Sequence, residues 1–360
     1  MSTKLKALLT TGGHGTRLRP LTHTKNKHLI PIANKPIIHY ALEYLSESGI
    51  TEVGVITKGE GLDIIEALGS GDKWGLNLTY IPQDEPKGLA HVVKVSQDFI
   101  GDSPFIFYLG DNILVGGIKT FIDEFEKSKS NCHLILSKVN DPQRFGVPEL
   151  KDNKIIGVVE KPEKPKSDFA VTGIYLYDSS IFEAVNNIKP SDRGELEISD
   201  AHQYMLDKGL KFSYSEITGW WKDTGKPEDL LEANRLVLEK IHNVHNYGEV
   251  SSDSELVGNV SVGKNTVIKN SRIRGPVIIG EGCTIENSFV GPYTSIHDDT
   301  TIYDSAVEFS IILRKCLIRG MEQRMDGSII GEEVEIVRRT ERPFTNRFIM
   351  ADHSRMEIVS

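Results

Sequence analysis

Residues 8–22 read LLTTGGHGTRLRPLT, and the fold turns on how this stretch leaves its apolar run. The run from Leu5 to Leu9 stops at Gly12-Gly13-His14-Gly15, and Arg17 and Arg19 follow at once. A strand that ends in closely spaced glycines can bring backbone N–H groups against phosphate oxygens, because no Cβ stands in the way. Arg17 then adds a planar fork of charge-assisted donors, and Lys27, in NKHLIP, a compact cation. The spacing matches neither a Walker A loop nor the G-x-G-x-x-G dinucleotide fingerprint. On the glycines alone, a plain tight turn beside a solvated basic strip fits as well.

Outward from this turn, KLKALLT, TEVGVIT, LNLTYIP, PFIFYLGD and HLILSKV read as short buried strands. Amphipathic stretches separate them. In NKPIIHYALEYLSESG the residues Ile38, Ala41, Leu42 and Leu45 fall on one helical face, with Pro36 at an early position and Gly49 as the stop. Strands alternating with helices predict crossover units and a mainly parallel sheet, with ligands beyond the carboxyl ends of its strands. NKIIGVVEKP and FAVTGIYLYD read as strands with no helix between them, so part of the sheet is mixed. GKPEDLLEANRLVLEKIHNV reads as a long closing helix.

Beyond Tyr247 the helical period disappears. Apolar residues recur every five or six positions at Val262, Val267, Ile273, Ile279, Ile285, Val290, Ile296, Ile302, Val307, Ile312 and Ile318. A hexapeptide period predicts a β-solenoid with one inward side chain per face of each coil. The pattern loosens after Arg319, returns in SIIGEEVEI and ends in a mixed polar tail.

The 360 residues are enough for two domains and a large core. The formal net charge of −9 argues against general affinity for nucleic acid and makes a local cationic cluster more informative. Three cysteines, Cys132, Cys283 and Cys316, are far apart and form no C-x-x-C pair, which suits a reducing cytoplasm and neither a disulfide framework nor a zinc site. The first apolar run is too short for a signal peptide, and no later one is long enough to span a bilayer.

Further chemistry lies along the first half. QDEPKGLAH follows a strand and opens a helix at Gly88, and Gln83 carries the paired donor and acceptor needed at a base edge. YLGDN puts Asp111 at the end of the fourth parallel strand, and GWWKDTG puts Asp223 in a turn. Each aspartate alone is an ordinary turn or cap residue. Two carboxylates beside a phosphate-type loop suit a divalent cation.

Taken together, GGHGTRLRPLT…KHLIPIANKPII, QDEPKGLAH, LGDN, RFGVPEL, VVEKP, VTGIYLYD, RGELEISD and WWKDTG occur in an order that resembles the sugar-1-phosphate nucleotidylyltransferases. The likeness covers nearly the whole chain and is strongest to the long-form glucose-1-phosphate thymidylyltransferase branch, which carries a C-terminal β-helix. It departs from the pattern at Thr11, where the family usually has alanine. The resemblance implies an α/β fold: a Rossmann-like, mixed but mainly parallel sheet in a nucleotidyltransferase domain over residues 1–244. A left-handed parallel β-helix over residues 245–360 would follow, ending in the polar tail.

The resemblance also implies roles. Gly12, Gly13, Gly15, Thr16 and Arg17 would hold the nucleoside triphosphate, and Lys27 would neutralise the departing pyrophosphate. Gln83 and Gly88 would read the base. Gly146, Glu160, Val171 and Glu195 would line the sugar pocket, while Lys161 and Arg193 orient the sugar phosphate. Asp111 and Asp223 would hold Mg²⁺. The implied reaction takes dTTP and glucose 1-phosphate to dTDP-glucose and pyrophosphate in a homo-oligomer. Uridylyl or guanylyl transfer to another sugar 1-phosphate, and a non-catalytic nucleotide-sugar-binding subunit, are the alternatives. An added acyltransferase in the β-helix lacks a supporting His or Asn constellation. His14 reads as a spectator, His242 and His245 as surface residues, Trp220 and Trp221 as packing, and Arg338, Arg339, Arg342 and Arg347 as a solvated edge.

Overall fold

In the computed structural model the described residues are 4–13, 15–242, 244–339 and 347–358. His14 and Arg342 lie outside them. The chain forms two compact units, Met1–His14 with Ile37–Asp223, and Gly15–Pro36 with Thr224–Ser360.

The first unit is built on a nine-stranded sheet. The strand Lys6–Thr10 lies between Glu52–Lys58 and Phe105–Leu109, parallel to both, and Asn77–Gln83 extends the parallel run. Ala7, Leu8 and Leu9 have no exposed surface, as a strand covered on both faces requires. The helix Ile37–Glu47 crosses between the first two strands, with Ile38, Ala41, Leu42 and Leu45 all fully buried. Pro36 closes a two-residue strand just before that helix rather than opening it. Strand order reverses at Lys6–Thr10, so the chain beyond Thr10 and beyond Leu109 leaves the sheet at the switch point where such folds bind ligands.

Direction changes in the later half. Phe169–Tyr177, buried at every position, runs antiparallel to Phe105–Leu109 and also pairs antiparallel with Cys132–Lys138 and Gly146–Lys151. Lys154–Glu160 returns antiparallel beside Gly146–Lys151 as the mixed edge of the sheet.

In the second unit, three parallel sheets form the faces of the β-solenoid expected from the hexapeptide period, the left-handed β-helix that the resemblance implied. Ile268, Ile285, Ile302 and Ile318 form one inward column, each fully buried and each in register with the next. The inward residue there is Ile268; Val267, one position earlier, is only half-buried. Corners are fixed by polar ladders with a 17-residue spacing. The amides of Ser271, Ser288 and Ser305 donate to the hydroxyls of Ser254, Ser271 and Ser288, and the Asn270 amide donates to Asn287 at 2.8 Å. Such ladders satisfy buried backbone groups that a turn leaves open. All three cysteines are buried and free. Among the described residues no helix is long and apolar enough to cross a membrane.

The same unit contains the helix Pro227–Leu238 and the segment 15–36. Asn234, fully buried on that helix, accepts from the Ala33 amide at 2.8 Å and donates to the Tyr293 carbonyl at 3.0 Å.

Candidate active site

The glycine-rich turn divides between the units. In the first, Thr11 is fully buried, and both its amide and its hydroxyl donate to the Ile56 carbonyl, at 2.9 and 2.7 Å. The hydroxyl that sets Thr11 apart from alanine is thus satisfied within the sheet. A Cβ placed on Gly12 would stand 3.5 Å from Oε1 of Gln83, so the loop backbone runs close to that amide. In the second unit Gly15 has φ 56° and a Cβ there would meet the Thr22 methyl at 2.9 Å, which calls for glycine. The Thr22 hydroxyl donates to the Gly15 carbonyl at 2.8 Å, and the Lys27 side chain packs against the same glycine. This closes residues 15–27 into one compact loop bearing the exposed residues Thr16 and Arg17 together with Lys27.

Gln83 ends the strand Asn77–Gln83 and is buried. Its Nε2 donates to Nδ1 of His91 at 3.0 Å. An amide nitrogen cannot accept, so His91 is neutral with its proton on Nε2. Burial, with the charges of Lys87 and Lys94, holds the His91 pKa below the ordinary imidazole range and favours that state.

Gly88 precedes the helix Leu89–Val95 with φ 96°, and a Cβ there would lie 2.4 Å from the Leu196 carbonyl oxygen. Leu196 donates its amide to the Lys87 carbonyl at 2.7 Å and accepts from the Ala90 amide at 3.1 Å. The glycine therefore lets the RGELEISD segment dock on the helix entrance.

That segment meets the mixed edge of the sheet. Gly146 stands in register between Glu160 on one side and Val171 on the other. A Cβ on Gly146 would meet Ser199 Oγ at 3.2 Å, Glu160 Oε2 at 3.4 Å and Val171 Cβ at 3.8 Å, so any larger residue would press on the Glu160 carboxylate and Ser199. Lys161 and Arg193 converge on one oxygen, Oε1 of Glu160, at 3.4 and 3.7 Å. Lys161 adopts φ 43°, in the left-handed region that non-glycine residues enter mainly at turns. Burial opposes the charge on Arg193, but the Glu197 hydrogen bond and the carboxylates of Glu197, Glu195 and Glu160 raise its pKa overall. The Glu195 carbonyl accepts from the Ser191 amide at 2.8 Å, closing the turn that carries Arg193.

Asp111 is buried, and its Oδ1 accepts from Asn112 Nδ2 at 3.0 Å. Asp223 is not in a turn but ends the short strand Trp221–Asp223, directly opposite Asn112 in an antiparallel pair. The Trp221 indole donates to Asn112 Oδ1 at 2.6 Å. Trp221 is buried, and His242 and His245 are exposed.

The profile of the nucleotidyl transferase family matches residues 6–240. The chain belongs to that family. The glucose-1-phosphate thymidylyltransferase of Streptomyces griseus is 46% identical over 357 residues, covering 99% of this chain and all of that protein. The enzyme of the same name from Streptomyces antibioticus is 44% identical over 358 residues, again 99% of this chain and all of the relative. A Bacillus anthracis structure described as a glucose-1-phosphate thymidylyltransferase, solved with a sucrose, superimposes with a TM-score of 0.62 at 40% identity. It covers 68% of this chain and 98% of that one.

In this nucleotidyl transferase four supporting residues escaped sequence reasoning: His91 on Gln83, Asn112 between Asp111 and Asp223, and Ser199 and Glu197 behind Glu160 and Arg193. Ser199 Oγ donates to Glu160 Oε2 at 2.8 Å, and Glu197 accepts from Arg193 at 2.8 Å. All four stood inside quoted motifs, His91 ending QDEPKGLAH, Asn112 ending LGDN, and Glu197 and Ser199 within RGELEISD, but nothing in the sequence named the side chain that each one meets.

Proposed function

We propose that the protein transfers a thymidylyl group from dTTP to glucose 1-phosphate, yielding dTDP-glucose and pyrophosphate. The observation that carries this reading is the convergence of Lys161 and Arg193 beside the Glu160–Gly146–Val171 row. Two cations suit a phosphate dianion, and a carboxylate suits sugar hydroxyls. A phosphate oxygen of the sugar attacks the α-phosphorus of dTTP, and the bond from that phosphorus to the bridging oxygen of pyrophosphate breaks. The nucleophile is already an anion, so no general base is needed. Catalysis comes from aligning two mutually repelling anions and offsetting their charge.

Lys161 and Arg193 orient the sugar phosphate. Gly12, Gly13, Gly15, Thr16 and Arg17 hold the triphosphate, and Lys27 offsets charge on the leaving group. Gln83 and Gly88 meet the base, while Glu160, Val171 and Glu195 face the sugar. Asp111 and Asp223 fit a hard divalent cation: one buried carboxylate, a second on the neighbouring strand, and an asparagine between them. Bound Mg²⁺ would supply charge neutralisation at the phosphates. The reaction takes place in the cytoplasm, and the stacked faces of the β-helix serve assembly into a homo-oligomer.

The direct test is product analysis. Purified chain with dTTP, glucose 1-phosphate and Mg²⁺ yields dTDP-glucose by mass spectrometry, and excess chelator abolishes it. Absence of that product at any enzyme concentration rejects the reading.

A further inference from the structure

The loop 15–36 follows a sheet strand in sequence, yet it folds with the β-helix. Three attachments hold it. At the hairpin turn, Asn34 donates to the Ile296 carbonyl at 2.7 Å and Ala33 to Asn234 at 2.8 Å. In the middle, Leu21 lies against Gly331, where an added Cβ would be 3.8 Å away, and Lys25 donates to Glu332 Oε1 at 2.5 Å. On the tail side, His23 meets the Asp352 carbonyl at 3.2 Å, and Arg19 meets His353 at 3.4 Å.

Glu332 is unlike an ordinary surface acid. It sits in the turn between Ile329–Ile330 and Glu335–Val337, in the last coil. Arg314, one coil earlier, holds the same carboxylate at 2.9 Å, and Glu333 donates its amide to the Arg314 carbonyl at 3.1 Å. The carboxylate is therefore fixed from its own side and presented to Lys25. From Lys25 the chain passes at once into a capped turn. Asn26 accepts from the His28 amide at 3.0 Å and caps the turn Lys27–Leu29, and Lys27 packs on Gly15. Lys25 is thus two residues from Lys27, whose side chain lies beside Gly15, itself two residues before Arg17.

We infer that Glu332 is a positioning residue for the triphosphate loop, acting through Lys25, so that the last coil of the β-helix belongs to the working parts of nucleotide binding. The inference rests on the proposed assignment of Arg17 and Lys27 to the triphosphate. It gives the β-helix a role apart from assembly. Burial would raise the Glu332 pKa, but the hydrogen bond and charge of Lys25 and the charge of Arg314 outweigh it and hold the group ionised.

The test uses the full-length chain carrying Glu332→Gln, Glu332→Asp, Lys25→Met, or Glu332→Gln with Lys25→Met. Steady-state KM values for dTTP and for glucose 1-phosphate, kcat, and the melting temperature are read for each. Glu332→Gln and Lys25→Met each raise the KM for dTTP about tenfold, and the double variant is no worse than either single one. Glu332→Asp recovers most of the loss. The KM for glucose 1-phosphate and the melting temperature stay close to those of the unsubstituted chain. An unchanged KM for dTTP overturns the inference, and so does a parallel loss in both KM values and in melting temperature. If the unsubstituted chain prefers UTP or GTP, that fault lies in the base assignment, and the same variants are read on the preferred triphosphate.

Discussion

The Gln83 amide nitrogen donates to Nδ1 of His91 across 3.0 Å. One of its two N–H bonds is thereby committed, and under the proposed function the other, with Oε1, meets the pyrimidine imide edge. His91 selects which end of the amide points where. His91→Leu frees the amide to rotate and costs about tenfold in kcat/KM for dTTP, with little change for glucose 1-phosphate. Protonated imidazole cannot accept this bond. Because the His91 pKa is held low, kcat/KM for dTTP stays flat near neutrality and falls only as the pH drops below the usual histidine range. Kinetics of His91→Leu matching those of the unsubstituted chain would remove His91 from base recognition.

In the proposed reaction Lys161 serves the nucleophile and not the leaving group. Lys161→Ala loses roughly 2–4 kcal/mol of transition-state stabilisation toward glucose 1-phosphate while dTTP binding by calorimetry is nearly unchanged. An unaltered kcat/KM for the sugar phosphate contradicts this role.

Gly88→Ala brings a methyl group to 2.4 Å from the Leu196 carbonyl, at a φ of 96°. Both faults act together, and we expect a destabilisation of about 2–4 kcal/mol in denaturant unfolding. Leu196 carries Glu195 and Glu197 with it, so sugar-phosphate turnover falls as well. A stable and fully active Gly88→Ala chain would show that the segment docks without the glycine.

Two buried histidines make stability depend on pH. Burial lowers the pKa of His133 from 6.5 to about 4, and that of His202 to about 3. His133 bridges Ser213 and Ser215 at 2.7 Å each, and His202 meets the Tyr177 hydroxyl at 2.6 Å. The unfolded chain takes up these protons first. Their contribution is therefore fully present above about pH 6.5 and is lost as the pH falls to about 4 for His133 and about 3 for His202, with a slope of roughly 1.4 kcal/mol per pH for each histidine. Melting temperature drops across that window, and His202→Phe flattens the drop even though it lowers stability at about pH 7. An unchanged slope in His202→Phe would mean that the loss comes from other groups.

Much of this was legible in the chain. Ile38, Ala41, Leu42 and Leu45 announced a buried helical face, and the hexapeptide steps announced the β-helix, because both periods are local. At the first step the step count pointed to Val267 where Ile268 is inward, since a coil corner displaces the phase by one residue. Gly146, Glu160 and Val171 could be gathered by resemblance, but their side-by-side register depends on strands far apart in sequence. His91, Asn112, Ser199 and Glu197 stand inside QDEPKGLAH, LGDN and RGELEISD, but the side chain that each one meets is set by the fold and not by the motif. The packing of residues 15–36 with the β-helix was illegible for the same reason: Lys25 and Glu332 are joined only by the fold.

Asp111→Asn and Asp223→Asn each weaken activation by Mg²⁺, and the double variant loses less than the sum of the two, as expected of ligands to one ion. Titration of activity against Mg²⁺ reads this. Additive losses would place the two carboxylates in separate tasks.

The central claim is tested most directly by pyrophosphate release from a panel of nucleoside triphosphates paired with sugar 1-phosphates. The account predicts the highest kcat/KM for dTTP with glucose 1-phosphate, a weaker but measurable rate with UTP, and poor rates with purines. A 5-methyl group in an apolar niche separates dTTP from UTP by only about 10–200-fold. A highest kcat/KM for GTP or ATP, with glucose 1-phosphate or mannose 1-phosphate, would contradict both the Gln83 assignment and the proposed reaction.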